Sequence, residues 1–270
     1  MIKENGYIVR HSGFARLLTP LYSILTTLGS LFALCAFWQI SAENLGIYVL
    51  PEPLEVMQRV IEITKEDFFG NISITLVNSI KGTLIAIFFG VGLGWLSALI
   101  PAIYTVLRPW NVFLLGTPPI IWVVMAFFWF GTNSAGITIF TVLMSVAPML
   151  FSAGVMSMNT RPMMLHEMAR IYELSLFKRI RYVYLPHIVT TLMPAISVAV
   201  GMGIKVTVMA ELLASNHGIG AFIGYSRETL DTASLVAYVV IAVLIILFLE
   251  YAVLNTIRRL VLPREVNEQT

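Results

Sequence analysis

RPMMLHEMARIYELSLFKRIRYVYLP, residues 161–186, is a polar interlude between two long apolar stretches, 135–157 and 188–213. It is too polar to cross a membrane, and its composition is not that of a disordered segment. At helical period it makes two short amphipathic helices. In the first, Met164, Leu165, Met168, Ile171 and Tyr172 share a face. Glu167, Arg170 and Glu173, each three apart, fall on the other face and can pair along the surface. Pro162 stands where a first-turn proline belongs. In the second helix Leu176, Phe177, Ile180, Val183 and Tyr184 oppose Lys178, Arg179, Arg181 and Tyr182. Pro186 is expected to end it, because proline removes a donor and disfavours helical geometry at the preceding residue. Held between two spans, such a pair is either a knob for a soluble partner or an anchor among lipid headgroups. The residues alone leave both open.

The flanking stretches set the architecture. An α-helical span needs about 20 largely apolar residues to cross roughly 30 Å of hydrocarbon. Six stretches of the 270-residue chain qualify, at 19–40, 80–100, 112–131, 135–157, 188–213 and 234–257. Thr132, Asn133 and Ser134 make a tight polar turn between the third and fourth. The alternation of a transmembrane β-strand is not seen. The expected fold class is therefore all-α integral membrane, with a tail at 1–18, a six-span domain at 19–260 holding the polar loop 159–187, and a tail at 261–270. Composition agrees: 58% of residues are hydrophobic and 12% charged, with a mean hydropathy of +0.85, whereas a soluble domain carries about 25% charged residues.

Lys and Arg gather on the cytoplasmic side of membrane proteins. With the N-terminus inside, the inner segments hold twelve: Lys3, Arg10, Arg16, Arg108, Arg161, Arg170, Lys178, Arg179, Arg181, Arg258, Arg259 and Arg264. The outer segments hold three, Arg59, Lys65 and Arg227. Both termini are expected in the cytoplasm. The outer stretch 41–79 is the longest outside, and its acids suit a surface-lying helix or a solvated connector.

Several classes are excluded. A net charge of +2 without a basic run leaves no footprint for nucleic acid. The single cysteine, Cys35, rules out an intrachain disulfide and a cysteine-based zinc cluster. The first apolar stretch is too long for a signal peptide and lacks a small-x-small cleavage site. No internal repeat relates the two halves, as it does in many secondary transporters.

Glu167-Met168-Ala169-Arg170, with Leu185-Pro186 beginning fifteen residues after Arg170, resembles the EAA loop of ABC-importer permeases. In that family a glycine follows the last alanine by four residues; here Glu173 occupies that place, and Met168 stands for the first alanine. Three more fragments occur in family order. Leu50-Pro51-Glu52-Pro53 resembles the L-P-S-P after the first span of the nitrate/sulfonate/taurine branch. Thr117-Pro118-Pro119 through Trp129-Phe130-Gly131 is similar to its P-P-x-x-W…W-F-G stretch. Ala210-Glu211 with Gly218-Ile219-Gly220 is similar to its A-E…G-I-G.

That resemblance implies a type I importer permease with no covalent chemistry of its own. Glu167, Met168, Ala169, Arg170, Tyr172, Glu173, Leu174, Leu185 and Pro186 would couple to a cytoplasmic ABC ATPase. The chain has no G-x-x-x-x-G-K-[ST] phosphate loop, so ATP and Mg would belong to that partner, and no cofactor or metal is expected here. An extracytoplasmic solute-binding protein and a second permease copy, as a homodimer, complete the implied assembly in a bacterial inner membrane. The implied solute is small: nitrate, sulfonate or taurine-like, or a vitamin precursor.

Within the spans, Pro118 and Pro119 delete two backbone donors and must kink or unwind the third. Non-helical backbone at membrane depth is tolerated only in protein or along a cavity, so Pro118, Pro119 and Trp122 either wall a path or make a packing kink. Lys205 and Glu211 are ionisable residues inside span five, costly there unless paired or hydrated. They lie about 240° apart around a helix, so they do not share a face. Lys205 facing a pore would favour an anion, or it could sit at a dimer axis; Glu211 could brace an outer gate; either could belong to an interhelical network. Glu250 in span six reads as structural or snorkelling. Gly218 and Gly220 allow a close backbone approach, as a gate or an ordinary turn would. Gly90 and Gly94 have the G-x-x-x-G spacing of a close helix contact.

Two other functions compete. A membrane-embedded enzyme needs clustered His, Asp or Glu, but His11, His166, His187 and His217 fall on different segments and both sides. An autonomous secondary transporter or channel needs coupling acids in its spans, for which Glu211 and Glu250 are thin support.

Overall fold

The computed structural model describes residues 3–4, 7–8, 13–46, 49–65, 68–132, 135–160 and 163–261. A two-residue antiparallel ladder, Lys3–Glu4 with Tyr7–Ile8, precedes an otherwise helical chain. The helices are α1 (Gly13–Leu45), α2 (Pro53–Lys65), α3 (Phe68–Leu99), α4 (Pro101–Gly116), α5 (Pro119–Phe130), α6 (Ala135–Asn159), α7 (Met163–Ile171), α8 (Leu176–Arg179), α9 (Leu185–Ala214), α10 (Ile219–Glu228) and α11 (Thr232–Val261). Asn133, Ser134, Arg161, Pro162 and the tail from 262 lie outside the described residues.

Five helices are long and apolar enough to cross a membrane, and the number rises to six if α4 and α5 together make one crossing. The expected third span is corrected. It is not one helix over 112–131 but two, beginning at Pro101 and bent by 99° at the break. Pro118 has an extended ψ of 138° and Pro119 opens α5, so neither supplies the amide that would continue α4. Span two is also longer than its apolar run, since α3 starts at Phe68 rather than at 80. Its added turns carry Asn71, Ser73, Thr75, Asn78 and Ser79, which lower the local hydropathy.

The core is α3 against α6, with α9 beside them. Ala86 and Val91 of α3, Val142, Val146 and Leu150 of α6, and Leu192, Ala199 and Val206 of α9 form one buried cluster. Gly90 and Gly94 lie on the α6 backbone at Ala147, Phe151 and Gly154, where a Cβ would collide. The expected G-x-x-x-G contact is thus internal to the chain, while Gly92 faces open space.

Outside the bundle, α2 lies in the stretch 41–79, read as a surface-lying helix or a solvated connector. Val56 and Ile63 pack on Ala237 and Ile241 of α11. Arg59 clasps the turn before α11, donating from Nε to Ser234 Oγ at 2.7 Å and standing 3.7 Å from Asp231. Asp231 caps α11, accepting from the Ser234 amide at 2.9 Å and its hydroxyl at 2.6 Å. Partial burial opposes ionisation of Asp231, but the two Ser234 hydrogen bonds and the Arg59 charge outweigh it and hold its carboxyl below the ordinary range.

Candidate functional site

Before α9, α7 and α8 are the two short helices expected between the fourth and fifth long ones. Ala169 is buried, whereas Met164, Met168, Ile171, Tyr172 and Phe177 are exposed, leaving an apolar surface with nothing from the described residues on it. Glu173 ends α7 in the left-handed conformation, φ +48°. The Leu174 amide then reaches back to the Ala169 carbonyl at 3.1 Å, the six-to-one bond of a Schellman cap. Arg179 Nε donates to the Leu174 carbonyl at 2.7 Å and fixes the turn to α8. The tight turn that a glycine would permit is therefore present with a glutamate in that place. Glu167 is exposed, and the side chains of Arg170 and Leu185 lie outside what is described.

Pro186 does not end the second helix. It sits in the first turn of α9, and Ile180–Tyr184 before it widen into a π-helical turn that carries the chain on. A proline in a continuing helix has no amide for the carbonyl four residues back, and its ring crowds that carbonyl. A wider turn relieves both problems.

At the C-terminal end of α9, Glu211 is 1% exposed. Its Oε2 accepts from the Thr75 hydroxyl at 2.8 Å and the Gly220 amide at 3.2 Å. The neighbouring amides are received in the same way, Ile219 by Thr75 Oγ1 at 2.9 Å and Gly218 by Asn71 Oδ1 at 3.3 Å. Three successive amides at the start of α10 are thus capped by side chains of α3 and α9. The positive end of α10 faces a carboxylate there. Gly218 has φ +96°, and a Cβ on either Gly218 or Gly220 would strike Glu211. This chain therefore brings Glu211, Gly218 and Gly220 together, and adds Asn71 and Thr75, which the sequence reading missed. Their four-residue spacing, continued by Ser79 and Thr83, was the available signal.

Pro118, Pro119 and Trp122 meet at the break between α4 and α5. Trp122 is 8% exposed, set edge-on between Phe113 at 6.5 Å and Phe140 at 6.4 Å. Val123 and Ala126 pack α5 against Ile137 of α6 and Ala210 of α9. Lys205 stands apart from Glu211, exposed on a stripe of α9 with Val198, Met202 and Leu213. A cavity of about 550 Å³ opens at the C-terminal ends of α5, α9 and α10, lined by Phe127, Ser215, Asn216, Tyr225 and Glu228 among others.

One rod joins the two ends. Pro186 opens α9 and Glu211 lies in its last turns, about 38 Å apart at 1.5 Å per residue. This helix, with Pro194 inside it, runs unbroken by any loop from the α8 side to the seat of α10. Residues 90–266 match the family described as binding-protein-dependent transport system inner membrane component.

The chain belongs to this family. As a member it is a multi-pass membrane protein and a permease of an ABC-type importer. It is 24% identical over 244 residues to the taurine transport system permease protein TauC of Escherichia coli, covering 87% of this chain and 88% of that protein. It is 25% identical over 238 residues to the formylaminopyrimidine transport permease protein ThiX of Halalkalibacterium halodurans, covering 85% and 92%. To the nitrate import permease protein NrtB of Leptolyngbya laminosa it is 25% identical, covering 71% of each. Its fold is similar to that in the inward-facing methionine ABC transporter MetNI, with a TM-score of 0.59 and 18% identity over 70% of this chain and 94% of that one. The type I permease fold agrees with that likeness, and the six-span expectation holds if α4 and α5 make one broken crossing.

Proposed function

We propose that this permease forms, with a second copy, the translocation path of an ATP-driven importer in a bacterial inner membrane. A cytoplasmic ABC ATPase takes the exposed face of α7 and α8 (Glu167 to Leu174), and a solute-binding protein delivers the solute from outside. One observation carries the reading: Met164, Met168, Ile171, Tyr172 and Phe177 expose an apolar patch at the foot of the helix whose other end holds Glu211 and seats α10. A patch of this kind on a structured loop marks a protein contact, and α9 connects it to an outer gate made by Glu211, Gly218 and Gly220.

Closure of the ATPases would move α7 and α8 together. The move would pass through Leu185 and Pro186 into α9, and tilt the seat of α10 relative to α3. Pro118, Pro119 and Trp122 would wall the path at the broken third crossing. Both termini lie in the cytoplasm in this scheme, in keeping with twelve basic residues in the inner segments against three in the outer. The solute on this reading is small: nitrate, sulfonate or taurine-like, or a vitamin precursor. Relatives named for taurine, formylaminopyrimidine and nitrate support that range. ATP and Mg act on the partner.

Affinity purification of the tagged chain from native membranes in mild detergent tests this. A stoichiometric ATPase should remain bound to the wild type and be lost from Glu167→Arg. A stable assembly with no ATPase would overturn the reading in favour of an autonomous transporter.

A further inference from the structure

Lys205 of α9 and Glu250 of α11 both lie inside membrane-length helices, where a lone charge costs several kcal/mol. Neither has an ion-pair partner among the described residues. Glu211, the other acid of α9, is already engaged by Thr75 and Gly220 and points to another side of the helix. The two unpartnered groups are nonetheless neighbours through a glycine. Glu250 Oε1 stands 2.7 Å, and its Cδ 3.3 Å, from the place a Cβ on Gly201 would take. The carboxylate of α11 therefore occupies the side-chain slot of position 201 on α9.

Gly201 and Lys205 are four residues apart, so their side-chain slots are adjacent on one face, with Cβ positions about 5–6 Å apart. Helical side chains lean toward the N-terminus of their helix, so Lys205 leans toward position 201. An acid one turn before a lysine is the favourable order for a helical ion pair. Here α11 supplies that acid from outside, and the missing side chain of Gly201 makes room for it. The helices are already held together a turn further along, where Val208 and Leu212 of α9 and Ala242 and Ile245 of α11 share one apolar cluster with Ile219 and Ile223 of α10. A four-carbon side chain spans the remaining gap by a rotamer change.

We propose that Glu250 is the counter-ion of Lys205, forming an intramembrane ion pair across α9 and α11 in the slot left by Gly201. The pair neutralises both charges at membrane depth and ties α11 to the rod that joins the loop to α10. It also means that Lys205 is not a free attractant, since an anion moving along the α9 stripe must displace a carboxylate to reach it.

The test is a set of thermal midpoints for the purified full chain in mild detergent. K205M and E250Q each strand one charge and should lower the midpoint by about 10 °C. The doubly neutral K205M/E250Q and the swapped K205E/E250K should each recover at least half of that loss, and Glu250→Asp should fall between wild type and E250Q. If a single variant is too unstable to purify, a purifiable double or swap counts as recovery. A double variant that loses the sum of the two singles, or a swap no better than either, overturns the pair. None of these readouts depends on ATPase docking or on the solute.

Discussion

The Thr75 hydroxyl donates to Glu211 Oε2 at 2.8 Å while its oxygen accepts the Ile219 amide at 2.9 Å, so one side chain of α3 holds α9 and α10 at once. Thr75→Val keeps the shape and removes both bonds, leaving a buried carboxylate oxygen and a buried amide short of a partner. Each such group costs about 1–3 kcal/mol, so the loss should be about 3 kcal/mol. Thermal unfolding of the purified chain measures it, and a midpoint equal to wild type would show that the seat contributes nothing.

Gly220→Ala should be far more damaging than Gly92→Ala. A Cβ at 220 would meet the Val208 carbonyl, the Glu211 Cβ and the Leu212 amide, all held by α9, whereas nothing lies within 4 Å of one at 92. At Gly92 alanine should be neutral or raise stability by up to about 1 kcal/mol through helix propensity. The comparison of the two midpoints checks this, and equal effects would contradict the packing of α10 on α9.

Glu173→Gly should stabilise the turn between α7 and α8. A non-glycine residue at φ +48° costs roughly 1–2 kcal/mol, and the substitution removes that strain. Hydrogen exchange at the Leu174 amide, which is bonded to the Ala169 carbonyl, should slow about tenfold. Glu173→Val, with a β-branched side chain in the same conformation, should speed it.

Acid should release the clasp between α2 and α11. The Asp231 carboxyl is held below its ordinary range in the folded chain, so the stability it contributes is present above the ordinary aspartate value of about 3.9. That stability is lost as pH falls through the lowered folded value. Wild type should therefore be more stable than Asp231→Asn by a constant margin from neutral pH down to about 4, and the margin should close at lower pH. A margin that widened on acidification would reverse the sign of the linkage.

The long helices and the loop pair were legible because each rests on one strong pattern, apolar length or helical period. Three features were not, for separate physical reasons. The first turns of α3 look polar because Asn71 and Thr75 serve α10 rather than lipid, so a hydropathy reading cut that helix short. Pro186 carries a helix-ending signal, but a π-helical turn absorbed the proline and the helix continued. The bend between α4 and α5 was marked by Pro118 and Pro119, yet its size depends on packing of Val123 and Ala126 against α6 and α9, which no local pattern encodes. At the site, Glu211 and the two glycines were legible as unusual residues, while their capping partner on α3, 136 residues from Glu211 in sequence, was not.

The N-cap of α10 is Gly218, which offers no side-chain acceptor of its own. A helix of ten residues is too short to persist alone, since isolated helices below about 12–15 residues are marginal. Among the described residues, its leading amides are met by Asn71, Thr75 and Glu211, which come together when α3 and α9 are already side by side. The ordering of α10 therefore follows the pairing of α3 with α9, and its appearance reports that the two long helices have found their register.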